Sequence, residues 1–124
     1  MYSFNVSIKA ERLIRKCLNI IKSLNLPIAS TIRFIDITGN NTYGCCIYNG
    51  KKDFFEYTIG INKFIISDKD YEDAVIHELI HTIKGCNKAH NDEWNKYAAD
   101  VRMKSNYLLY TFDNKELGMG AYLI

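Results

Sequence analysis

His77-Glu78-Leu79-Ile80-His81 holds two of the three histidines in a chain of 124 residues, with a carboxylate set between them. A helix advances about 100° per residue, so positions four apart share a face. Both imidazoles then aim at one point, and Glu78 lies beside them. Val75, Leu79, Ile80 and Ile83 recur at helical spacing and supply a buried face. Ser67 or Asp68 reads as the N-cap, and Asp70, Glu72 and Asp73 complement the positive end of the helix dipole. Gly85 suits the turn that follows. The stretch predicts a helix over residues 69–84 that carries two imidazoles on one face.

Downstream, Asn87-Lys88-Ala89 reads as a loop, and a second helix runs from His90 or Asn91 to Ser105, with Trp94 one turn beyond His90. Upstream, residues 31–37, 43–48 and 54–64 read as strands, rich in β-branched and aromatic residues. They are joined by turn chemistry at Thr38-Gly39-Asn40-Asn41 and Asn49-Gly50-Lys51-Lys52-Asp53. Connections this short predict an antiparallel meander. Before them, Ile14, Cys17, Leu18, Ile21 and Leu24 recur at three- and four-residue steps, which predicts a helix over residues 7–24 ended by Asn25-Leu26-Pro27. The tail from Asn106 to Ile124, with turn residues at Asp113-Asn114 and Gly118, reads as an added strand or hairpin. The expectation is one α+β domain over residues 1–124: an N-terminal helix, a three-stranded antiparallel sheet, the His77–His81 helix and a following helix.

Composition narrows the function classes. Hydrophobic residues make up 48% of the chain and Pro27 is the only proline, so an ordered core is expected. A formal charge of +2 is too small to diagnose nucleic-acid binding by itself. No stretch approaches the roughly 20 apolar residues of a membrane helix, and no secretory segment is evident, so a cytoplasmic location without membrane contact is expected. Cys17, Cys45, Cys46 and Cys86 form no C-x-x-C pair and read as buried free thiols.

Three histidines are a suitable donor set for a catalytic Zn²⁺, which takes three protein ligands and keeps one position open. His77 and His81 come from one helix, and His90 folds back from the start of the next. Glu93 or Asp100, or the thiolate of Cys86, are the alternative third ligands. Two histidines four apart around a glutamate form the HExxH arrangement of zinc metallopeptidases, in which the glutamate takes a proton from water and later delivers it to the leaving amine. The expected cofactor is Zn²⁺, the expected catalytic base is Glu78, and the reaction is hydrolysis of a peptide or related amide bond. Metzincin spacing fails, because Gly85 and His90 follow His81 by four and nine residues.

The run from His77 to Trp94 resembles the SprT-like family of zinc metallopeptidases, in which an HELxH helix is followed by a third histidine, three residues and an aromatic. The preceding helix and strands fall in the same order, so the resemblance covers about residues 7–105 and is specific over residues 77–94. It implies a compact zincin-like domain with His77, His81 and His90 as zinc ligands and Glu78 as general base. Trp94 becomes a packing residue that holds the second helix against the site. A protein or peptide substrate is implied as well, and a DNA-associated one in the better-known members. Asn91 stands where the family commonly has glycine, and no cysteine follows Cys86.

Weaker signals remain. Lys84, Lys88, Lys96, Arg102 and Lys104 could steer a nucleic acid or acidic substrate, as could Lys9, Arg12, Arg15, Lys16 and Lys22; solvated helix faces account for the same residues. Tyr97, Tyr107 and Tyr110 are candidate oxyanion donors. The strand at 54–64 reads as an edge able to pair with an extended substrate. The rival reading is a nucleic-acid- or protein-binding module whose zinc is structural, closed by a fourth ligand such as Cys86.

Overall fold

The computed structural model describes residues 1–39, 42–87 and 89–109. Strand β1 (Tyr2–Asn5) leads into helix α1 (Ile8–Ser23), followed by β2 (Ile32–Ile37), β3 (Gly44–Tyr48), a short 3₁₀ turn (Gly50–Lys52), β4 (Tyr57–Asn62), α2 (Asp68–Ile80) and α3 (Asp92–Lys104). The α+β class is as expected. Helix α1 begins where Ser7 accepts a bond from the Ala10 amide, and it ends in the left-handed Asn25 (φ 58°).

The sheet departs from the expected meander. Among the described residues it has four strands in the order β1-β2-β4-β3, and of these pairs only β3 and β4 are antiparallel. β2 runs parallel to both β1 and β4. Short loops had suggested that neighbours in sequence pair, but the six residues between β2 and β3 easily cross the about 10 Å that skips one strand position. The vacated place goes to β4, every residue of which is buried. Residues 54–64 therefore do not form an edge, and β3 takes that position. β1 went unforeseen, although Tyr2 and Phe4 alternate; both rings lie on Phe34, at centroid distances of 6.2 and 5.3 Å. On the outer face, the segment before β4 folds back. Asp53 takes both guanidinium nitrogens of Arg33 at 3.0 and 3.1 Å, and Asn49 donates to Thr58.

On the inner face, α2 packs against α1, α3, β3 and β4. From Tyr71 to Ile80 it has no exposed residue. That is the pattern of an interior helix, and it forces four acidic or imidazole groups (Glu72, Asp73, His77 and Glu78) into the core. Glu72 is met by Lys16 Nζ at 3.1 Å and by the Tyr107 hydroxyl, which donates at 2.7 Å. Asp73 accepts the Leu109 amide at 2.8 Å, while Arg102 donates to the carbonyls of Leu108 and Leu109. The start of the C-terminal segment is thereby clasped to α2. The strand or hairpin expected in the tail, with Tyr110, Asp113-Asn114 and Gly118, lies outside the described residues.

Among the described residues, no helix is long and apolar enough to cross a membrane. Tyr107→Phe removes a hydrogen bond to a buried, charged acceptor and is expected to cost about 1.5–3 kcal/mol. The midpoint of a urea transition checks this; an unchanged midpoint would refute the clasp.

Candidate metal centre

Helix α2 stops four residues short of its expected end at residue 84, and the stop shapes the site. The amides of His81, Thr82 and Ile83 turn back to the carbonyls of Glu78, Leu79 and Ile80, three residues earlier, so the last turn tightens. Thr82 fixes this turn: its hydroxyl donates to the Leu79 carbonyl and accepts the Ala29 amide. Gly85 follows at φ +90°, a conformation that costs glycine nothing. His81 becomes the C-cap residue yet keeps its place one turn after His77.

The reversal returns the chain so that α3 begins beside the end of α2. Asn91 caps α3 by accepting the Trp94 amide at 2.9 Å, and its Nδ2 donates back to the Gly85 carbonyl at 2.8 Å. Asn95 Nδ2 donates to the His90 carbonyl at 3.1 Å. His90 is thus held from both sides by its own backbone surroundings. The side chain of Asn91 does what a glycine at this position could not.

The three imidazoles converge. One ring nitrogen from each of His77, His81 and His90 lies within 4.8 Å of the others. His81 Nδ1 is 2.8 Å from the Cys86 carbonyl. A carbonyl only accepts, so Nδ1 carries the proton and Nε2 presents its lone pair. That Nε2 is buried and has no hydrogen-bond partner among the described residues. His90 Nε2 and His77 Nε2 are 3.0 Å apart. Two ring nitrogens this close either share one proton or ligate one cation; two ligands of a tetrahedral zinc would be about 3.3 Å apart. Burial pushes the His81 imidazole down to about 4, with the proximity of His90 adding to it and the Cys86 carbonyl opposing it. Burial lowers His90 as well. Neutral imidazoles are the ligating form. Trp94, fully buried, packs on all three rings at centroid distances of 4.5 to 5.5 Å.

Glu78 completes the arrangement. It is wholly buried, and neither carboxylate oxygen has a hydrogen-bond partner among the described residues. Burial raises its pKa well above the ordinary value. It lies under the start of β3: a Cβ on Gly44 would come within 3.1 Å of Oε2 and 3.2 Å of Cγ. Gly44 thus leaves the room that the carboxylate occupies. Sequence reasoning missed Gly44, Thr82 and Asn95; only the Asn91 cap, three residues before Trp94, leaves a signal in the sequence.

The other candidates fall elsewhere. Cys86, Glu93 and Asp100 supply no atom to the cluster; Cys86 contributes its carbonyl instead, and Asp100 pairs with Lys104. Tyr107 is spent on Glu72, Tyr97 packs half-buried against the core, and Tyr110 lies outside the described residues. Of the cations near the site, Arg102 is engaged with backbone carbonyls and Lys104 with Asp100, Lys88 lies outside the described residues, and Lys84 and Lys96 are exposed. On α1, Lys9, Arg15 and Lys16 pair with Asp68, Glu11 and Glu72.

No family model, curated protein or solved structure matches the chain. The donors themselves fit a cation: three imidazoles, one with its tautomer fixed by a carbonyl, beside a buried carboxylate. His77, His81 and His90 could together hold a metal ion.

The pKa shifts predict how stability depends on pH without metal. Between 4.5 and its raised folded value, Glu78 keeps a proton that the unfolded chain releases, so stability falls as pH rises through that window. His81 acts oppositely: between about 4 and 6.5 the unfolded chain holds the extra proton, so stability falls as pH drops. Metal-stripped Glu78→Gln should melt above metal-stripped wild type at neutral pH, and the gap should close as pH approaches 4.5. Thermal scans across pH check this, and a gap independent of pH would contradict it.

Proposed function

We propose that the protein is a zinc-dependent metallopeptidase of the SprT-like kind, hydrolysing peptide bonds of a protein substrate. The observation that carries the reading is the state of Glu78. Glu72, Asp73 and His77, the other three acidic or imidazole groups buried on α2, are engaged. Of these four, Glu78 alone has no hydrogen-bond partner among the described residues, one residue from His77 and three from His81. An unanswered buried carboxylate is costly, and such groups concentrate where chemistry is done.

His77, His81 and His90 would hold the zinc, whose Lewis acidity polarises a peptide carbonyl and acidifies water. With three protein donors, a zinc held there would keep a position open for substrate. Glu78 would accept the proton of the attacking water on Oε1 or Oε2 and pass it to the departing amine. A cation held by the three imidazoles would favour the ionised carboxylate and so offset the effect of burial. Trp94 shields the imidazoles from bulk water, and Gly44 leaves the Glu78 side chain its place. The outer edge of β3, which starts at Gly44 and has no neighbouring strand among the described residues, is where an extended substrate would add as a strand. Arg102 and Lys104 are engaged within the fold while Lys84 and Lys96 are exposed, so the cations do not choose between partners, and the protein substrate rests on the Glu78 and histidine chemistry.

Elemental analysis should find about one zinc per chain, lost or weakened in His90→Ala. Hydrolysis of labelled casein should fall by about 10²–10⁴-fold in Glu78→Gln, with zinc content that of wild type. A folded protein that takes up no zinc would overturn the reading; undiminished hydrolysis by the variant would remove Glu78 from its role.

A further inference from the structure

Helix α1 concentrates the positive charge of the chain. Lys9, Arg12, Arg15, Lys16 and Lys22 stand against Glu11 alone, a formal +4 on a chain whose total is +2, so the remaining residues are acidic on balance. Ala10, Ile14, Cys17, Leu18 and Ile21 bury one face of the helix. At about 100° per residue, Arg12, Asn19 and Ser23 lie opposite that face, with Arg15, Lys16 and Lys22 to either side. All six are exposed. Arg12 and Lys22 have no ion-pair partner among the described residues, while Lys9, Arg15 and Lys16 are paired but remain more than half exposed.

The same face carries an apolar side chain that packs on nothing. Ile8 stands one turn before Arg12 and is 86% exposed. Ile66, 95% exposed, precedes the Ser67 cap of α2, and Asp68 of that helix reaches Lys9 at 3.0 Å. Two almost fully exposed isoleucines thus stand at one end of the helical layer, where the basic face begins. A polyanion alone leaves them in water, whereas the boundary between headgroups and acyl chains takes such groups up. α1 lies lengthwise, packed along α2, with Arg15 over the Phe4 ring of β1 at 4.4 Å. It therefore presents a broad side and no protruding end, which suits a plane rather than a groove.

We propose that α1 docks the protein on an anionic lipid bilayer. Arg12, Arg15, Lys16 and Lys22 meet the lipid phosphates and carboxylates, and Ile8 and Ile66 enter the headgroup boundary. Docking of this kind needs no spanning helix, so the apolar length on which the expectation of no membrane contact rested does not bear on it. β1, beneath one flank of α1, and β3 are the opposite outer strands among the described residues. The docked face is thus away from the β3 side, where Glu78 lies. The reading does not depend on the metal centre.

The full chain is sedimented with vesicles of phosphatidylcholine and phosphatidylserine at about 2:1, and with vesicles of phosphatidylcholine alone. Binding to the mixed vesicles should be saturable, exceed that to the neutral ones and fall as salt is raised. Arg12→Gln combined with Lys22→Gln should weaken it about thirtyfold, from a loss of about fivefold at each cation. Both side chains are exposed, so the thermal midpoint of the double variant should be that of wild type. Ile8→Gln should weaken binding to the mixed vesicles while leaving its salt dependence unchanged. No excess binding to the mixed vesicles at low salt overturns the proposal, as does unchanged binding in the double variant. So does binding to a short DNA duplex, lost in the double variant, with none to vesicles, which would give the face to nucleic acid.

Discussion

Burying every side chain of α2 from Tyr71 to Ile80 places charged and imidazole groups where water cannot reach them. Each must find a protein partner or be left at a cost. Much of the remaining architecture supplies those partners. Lys16 reaches in from α1, and Tyr107 and the Leu109 amide come from the segment after α3. Both ends of the chain's helical layer are thus drawn onto one central helix by its polar residues as much as by its apolar ones. Glu78 stands apart from this pattern, and it stands beside the histidines.

The position of His90 depends on a reversal of ten residues that carries few apolar anchors. Its precision comes from polar bonds along the backbone: Thr82 at the end of α2, Asn91 bridging to Gly85, and Asn95 gripping the His90 carbonyl. Trp94 then closes the rings from behind. Imidazoles brought together from two elements need such support, because the histidines of α2 are placed by helix periodicity and the third is not.

The elements governed by local rules were legible in the sequence. Ser7, Ser67 and Asn91 cap the helices they were expected to begin or adjoin, and Val75, Leu79, Ile80 and Ile83 are buried. The convergence of His77 and His81 followed from their spacing, and that of His90 from the turn at Gly85. Strand order was not legible: alternation tells which face of a strand is buried, not which strand lies beside it. β4 gave the wrong impression because its turn residues fitted a hairpin edge, whereas Thr58 and Asn62 are buried polar residues with partners contributed from far along the chain. The clasp on Glu72 and the room left by Gly44 are equally non-local. No pattern within either segment announces them.

Trp94 is the only tryptophan in the chain, and its ring touches all three imidazoles. The protein therefore carries one indole, which can be excited apart from its nine tyrosines and is positioned where the charge of its surroundings changes whenever an imidazole gains a proton or a cation arrives. Emission from this indole needs no attached dye and has no second indole to confuse it. The residue that seals the cluster from solvent also makes the state of that cluster visible from outside.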